Sequence, residues 1–152
     1  MAHSRDALAV RTSRRFVRNH AGVDGIERVT SGGPWETAFG YSRAVLAGDL
    51  VYVAGTTAID EDGVVRGVGN VGVQTAFVLD RIASALAQAG ARMDQVIQTR
   101  MFVTDISRAE EVGRVHGECF GAHPPVSTMV QVQALIDPRM LVEIEAVAYV
   151  GQ

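Results

Sequence analysis

The sequence predicts an α+β domain, a mixed sheet of about six strands with two helices on one face. Three observations carry this. Leu141 to Ala148 alternates: Val142, Ile144, Ala146 and Ala148 point one way, Glu143, Glu145 and Val147 the other. Period two is a strand with one apolar face. Residues 71–89 repeat apolar side chains at helical spacing, with Val78, Leu79, Ile82, Ala83, Leu86 and Ala89 on one arc. The order strand, hairpin, helix, strand, helix, two strands supplies two helices, enough to cover one face of such a sheet.

Residues 1–25 show no sustained period, and Val23-Asp24-Gly25 is a turn signal. Ile26 to Thr30 is a short strand, closed by Ser31-Gly32-Gly33-Pro34. Gly40 to Ala47 and Leu50 to Ala54 read as strands joined at Gly48-Asp49, a hairpin with glycine where positive φ is cheap. Ala58 to Arg66 contains a second turn, Asp60-Glu61-Asp62-Gly63. Asn70 caps a helix from about Val71 to Ala89, and Gly90 closes it. Gln74, Asp80, Arg81, Ser84 and Gln88 take its polar arc.

Gln95 to Thr104 is a strand with Ile97, Thr99, Met101 and Val103 on one side and Gln98, Arg100 and Phe102 on the other. Ser107 and Glu110 form a capping box for a helix ending near Phe120-Gly121, before the break at Pro124-Pro125. Val126 to Leu135 is a strand with Val126, Thr128, Val130 and Val132 on one face and Ser127, Met129, Gln131 and Gln133 on the other. Asp137-Pro138 turns into the final strand. The sheet face without helices is expected to carry Arg100, Gln131, Gln133, Glu143 and Glu145, with Met129 and Phe102 among them. That mixture points to burial against other subunits, with polar pockets between them.

The 152 residues suit one domain with a sizeable core. No apolar run reaches the roughly 18 residues of a membrane span, and nothing resembles a signal peptide. The lone Cys119 excludes an intrachain disulfide, so a reducing cytoplasm is the expected location. There is no lysine, which excludes Schiff-base, pyridoxal-phosphate and P-loop lysine chemistry. His3, His20, His116 and His123 lack metal-ligand spacing. Residues 1–20 hold Arg5, Arg11, Arg14, Arg15 and Arg18 against Asp6, a balance of +4 that leaves −7 in the rest of a chain of net −3. An acidic body argues against a broad nucleic-acid surface. The basic arm is expected to be a solvated or loosely docked extension. His116 and Cys119 share a helix face with Val112 and Val115 and read as a ring and a small thiol in the core.

Three stretches in order resemble the Rid/YjgF family, also called L-PSP endoribonucleases, which includes reactive-imine deaminases. They are Phe39-Gly40-Tyr41-Ser42-Arg43-Ala44-Val45, Val51-Tyr52-Val53-Ala54-Gly55-Thr56-Thr57 and Val142-Glu143-Ile144-Glu145-Ala146-Val147-Ala148. Gln74, Gly90 and Phe120 also fit. The resemblance covers about residues 35–150. It divides the chain into an Arg-rich N-terminal extension, 1–30, and a Rid-like domain, 31–152. It implies a chorismate-mutase-like fold and a homotrimer with three ligand clefts between subunits. In the deaminases an Arg in a P-A-R-S motif holds the substrate carboxylate. A Tyr in G-P-Y-S, a Ser-Gly turn and the first Glu of E-I-E complete the site. Here these become Tyr41, the Ala54-Gly55-Thr56 turn and Glu143.

The arginine has no counterpart. Its stretch reads Pro125-Val126-Ser127-Thr128-Met129, with Ser127 or Val126 at the position according to the direction of alignment. Neither replaces a charged, bidentate guanidinium, so weak or no hydrolysis of carboxylate-bearing imines is expected. Arg43 and Arg100 are the candidates to compensate. Arg100 either pairs with Glu143, Glu145 or a neighbouring subunit, or is a relocated anion anchor.

The resulting expectation is a small metabolite bound in intersubunit clefts and an enamine, imine or related species hydrolysed, with Glu143 positioning water. Tyr41, Gly55, Thr56, Arg100 and Ser127 are the expected substrate-binding residues, with no metal, cofactor or membrane involved. The alternative is a catalytically silent ligand-binding or chaperone-like protein. RNA cleavage ranks third.

Overall fold

The computed structural model of the chain describes residues 17–19 and 25–152. Among these residues seven strands form one sheet: β1 (Val17–Asn19), β2 (Ile26–Thr30), β3 (Ala44–Ala47), β4 (Leu50–Thr57), β5 (Val96–Val103), β6 (Val126–Gln131) and β7 (Val142–Tyr149). The helices are α1 (Pro34–Phe39), α2 (Val71–Gln88) and α3 (Ala109–Phe120). The sheet order is β1-β2-β3-β4-β7-β5-β6. Every pairing is antiparallel except β5 with β6. The expected α+β mixed sheet is thus present, with one strand more than anticipated. Strand β2 lies before the expected boundary at residue 30, yet pairs with β3 from Ile26 to Val29. Arg5, Arg11, Arg14, Arg15, Asp6, His3, His20, Val23 and Asp24 lie outside the described residues.

Alternation in β7 becomes burial. Val142, Ile144, Ala146 and Ala148 are buried under α2 and join Val51 and Val53 of β4 and Met101 and Val103 of β5 in one core. Val78, Ile82 and Leu86 of α2 and Val112 and Phe120 of α3 close it from above. Asn70 caps α2, its side-chain oxygen accepting from Val73 N at 3.0 Å. The β3–β4 hairpin turns at Gly48, φ 58°, as its sequence requires.

Several details differ from the sequence reading. Pro34, read as the end of a turn, instead starts α1, and residues 35–39, given no element in the sequence reading, complete it; Gly40 ends it in the left-handed region at φ 71°. Gln74, placed on the polar arc of α2, is fully buried. Its Nε2 donates to Arg139 O and its Oε1 accepts from Leu141 N, both at 2.8 Å, which ties α2 to the chain entering β7. The capping box at Ser107 is replaced by a 3-10 turn, Ile106–Arg108, capped by Asp105, whose carboxylate accepts from Ser107 N and Oγ. Ile97 is exposed because the β5–β7 register shifts between Val96 and Gln98. Cys119 is exposed rather than a core thiol.

The sides of β6 are reversed. Parallel pairing sets Ser127 beside Thr99 and Met129 beside Met101, so both face the helices. Val126 and Val130 take the open face with Phe102 and Arg100 of β5. On that face Tyr52 pairs with Val147, and Leu50 with Tyr149. It is an apolar surface interrupted by charge. Among the described residues no helix is long and apolar enough to cross a membrane.

Candidate functional site

The strand ladder breaks where β4 meets β7. Register shifts between Val53 and Thr56, a bulge that frees Gly55. Thr56 closes the bulge from inside: it is buried, and its hydroxyl donates to Ala54 O at 2.8 Å. Glu143 of β7, paired with Thr57, folds its carboxylate over the Gly55 backbone. A Cβ at Gly55 would collide with Glu143 Oε1 and stand 3.1 Å from Cδ. Glycine is needed here for close approach.

Arg43, immediately before β3, supports the bulge from below. Its backbone carbonyl accepts from Ala54 N at 3.0 Å, and its guanidinium Nη2 donates to Gly55 O at 2.8 Å. The residue is 8% exposed. The Arg43 Nε is buried without a hydrogen-bond partner. The guanidinium carbon lies 5.9 Å from the centroid of the Tyr41 ring, within cation–π range.

Around these groups opens a cavity of about 1140 Å³ at the end of the sheet. Tyr41, Arg43, Gly55 and Glu143 form one wall. Trp35 and Phe39 of α1, edge to face at 5.5 Å, form a partly exposed aromatic rim. Phe77 and Arg81 of α2 and the acidic turn at Asp60–Gly63 complete the enclosure. Glu36 anchors α1 here: it accepts from Thr30 Oγ1 at 2.5 Å, from Ser31 N at 3.0 Å and from the Ser31 hydroxyl.

Electrostatics follow from burial. Desolvation raises the Glu143 carboxyl above the usual range; Arg43 opposes the rise and Glu145 adds to it. Burial lowers the Arg43 guanidinium, against the pull of Tyr41 and Glu36; it stays charged at any ordinary pH. A carboxyl whose proton is held more tightly than usual, beside a fixed cation, is the kind of group that serves as a general acid or base. Among the described residues no group of three or more His, Cys, Asp or Glu could hold a metal ion.

Of the residues singled out in the sequence, the structure brings Tyr41, Gly55 and Glu143 together. It does not bring Thr56, Arg100 or Ser127 into the cavity wall. Arg100 pairs with Glu145 at 2.5 Å on the open face. Ser127 Oγ accepts from Thr99 Oγ1 at 3.0 Å, and Thr99 Oγ1 also meets His116 Nε2 at 2.8 Å. His116 is therefore a half-buried hydrogen-bonding ring, stacked obliquely on Phe120. Sequence reading missed Glu36, Trp35 and Phe39. Their one signal was the Pro34 and Gly40 bracket, which marks a short helix as well as a turn.

Comparison with known proteins agrees with this fold. A family model described as Endoribonuclease L-PSP matches residues 34–150. An uncharacterised protein of Streptomyces coelicolor, SCO2049, is 42% identical over 128 residues, covering 84% of this chain and 95% of that protein. A RutC family protein of Pyrococcus abyssi is 32% identical over 110 residues, covering 72% and 85%. The crystal structure of Rv2704 from Mycobacterium tuberculosis, a member of the YjgF/YER057c/UK114 family, is similar with a TM-score of 0.75 at 51% identity, covering 82% of this chain and 99% of that one. YyfA of Yersinia pestis, a Rid family protein of unknown function, matches with a TM-score of 0.68 at 32% identity over 72% and 87%.

Proposed function

We propose that this chain, which belongs to the endoribonuclease L-PSP family of YjgF and Rid proteins, binds a small metabolite beside Glu143 and hydrolyses a carbon–nitrogen double bond there. The observation that carries this reading is the Glu143 carboxylate, half-buried, raised and held over Gly55. In the step, Glu143 takes a proton from water as the water oxygen bonds to the imine carbon. The π electrons pass to nitrogen, which receives that proton from Glu143. In the resulting carbinolamine Glu143 takes the hydroxyl proton as the carbonyl forms and the C–N bond breaks, and delivers it to the departing nitrogen, which leaves as ammonia. Every atom comes from imine and water. The same residues would serve an enamine after its tautomerisation.

Assembly belongs to this reading. The open face carries Tyr52, Phe102, Val130, Val147 and Tyr149, a surface suited to packing against other copies. A homotrimer, with clefts at the subunit boundaries, would cover it and enclose the cavity. A cytoplasmic location suits the free Cys119.

The test is ammonia release from small imines generated in place, some with a carboxylate and some without. The wild-type protein should accelerate release and Glu143→Gln should not, with its melting temperature maintained. Binding of small molecules with no turnover of any imine would favour the silent ligand-binding reading. One observation supports that second reading: neither Ser127 nor Val126, the two positions that match the deaminases' arginine, lines the cavity, and Ser127 is turned toward Thr99. RNA cleavage finds less support, since carboxylates outnumber cations in the cavity wall.

A further inference from the structure

We infer that Arg43 is the specificity-determining cation of the cavity and that the ligand presents it with an anionic oxygen. The inference rests on the ligand-binding reading of this cavity and assigns a role that the β6 strand cannot fill in this chain. Three observations converge on Arg43. It is buried, and its guanidinium is oriented by the 2.8 Å bond from Nη2 to Gly55 O. The Nε has no partner, although buried donors are nearly always satisfied. The group also shares a wall with Tyr41, Gly55 and Glu143.

A guanidinium offers five donors in a planar fork. Held on Gly55 O by one nitrogen, Arg43 keeps further donors for an acceptor beside Glu143. A planar carboxylate matches that fork, whereas a neutral amide lacks its charge. Arg100 is a poorer candidate because Glu145 already neutralises it on another part of the sheet. Arg81, across the cavity on α2, is near enough to oppose the charge of Arg43. An anion between them would relieve both.

The experiment compares 2-oxobutanoate with 2-oxobutanamide, equal in shape and different in charge, by calorimetry or by protein NMR shifts. The wild-type protein should bind the acid at least about tenfold more tightly than the amide, the scale of one charge-assisted contact. Arg43→Gln should abolish that preference, and Arg43→Lys should restore part of it. Equal binding of acid and amide by the wild type overturns the inference while leaving the cavity a ligand site. A preference that survives Arg43→Gln, or that is lost with Arg100→Ala or Arg81→Ala instead, also overturns it. Binding of neither compound overturns it together with the ligand-site reading. If Arg43→Gln does not fold, Arg43→Lys and Arg81→Ala decide: an undiminished preference in Arg43→Lys, or its loss in Arg81→Ala, overturns the inference.

Discussion

Replacing Gly55 with alanine separates the site from the fold. The added methyl group would overlap Glu143 Oε1 and press on Cδ at 3.1 Å and Cγ at 3.4 Å. These atoms belong to the end of a flexible side chain, so the carboxylate yields and the backbone stays. Gly55 is not among the positive-φ glycines, so alanine adds no backbone strain. Stiffening the unfolded chain contributes about 0.4–1 kcal/mol in its favour, which roughly offsets the rotamer change at Glu143. The melting temperature should move by no more than about 2–4 °C. The carboxylate, by contrast, must withdraw by about 1 Å, a misplacement that costs reacting groups about 10²-fold. Imine hydrolysis should fall by that factor with the melting curve nearly unchanged. Activity within threefold or so of wild type would refute the placement of Glu143 as the working group. A collapse of the melting temperature would refute the claim that only the carboxylate yields.

Other outcomes follow from the same contacts. Gln74→Leu keeps the volume but orphans Arg139 O and Leu141 N, at about 1–3 kcal/mol each; melting should drop by about 5–15 °C, and a drop under about 2 °C would show that the staple is dispensable. Because the folded Glu143 carboxyl is raised above its ordinary 4.5, the folded state binds the extra proton, and its stabilising effect is complete below that value and lost as pH rises through the folded one. Glu143→Gln should therefore be more stable than wild type at neutral pH and lose that advantage in acid, as denaturant titrations at several pH values would read; no pH dependence in the difference would contradict it. Light scattering should give three times 16.2 kDa at micromolar protein, and a stable monomer would remove the trimer and the closed cleft with it.

How far the sequence revealed this structure depends on the range of each interaction. The faces of β7 were legible because alternation is local and both faces speak: small apolar residues against two carboxylates. The β3–β4 hairpin and the start of α2 were legible because Gly48 and Asn70 act on their own neighbours. Helix α1 was hidden, since six residues are too few to show a period. In β6, alternation showed that Ser127 and Met129 share a face, but not which face. That was settled by parallel pairing with β5, about thirty residues away in the chain. Gln74 looked like a surface residue because its partners lie 65 and 67 residues further on. The site divides in the same way. Glu143, Gly55 and Tyr41 stood in recognisable stretches, while the grip of Arg43 on the bulge depends on tertiary folding.

The position of β7 has a consequence for the timing of synthesis. Among the described residues it is the last strand in sequence, yet it lies between β4 and β5. While a ribosome is still making residues 142–149, β4 and β5 each present a bare hydrogen-bonding edge, and α2 has half of its floor missing. Before β7 is available the chain can hold the β2–β3–β4 meander, but not the sheet. Completion therefore comes as a single late insertion, which delivers Glu143 to Gly55 in the same movement. Until then the exposed edges are the segments a holding chaperone would need to shield.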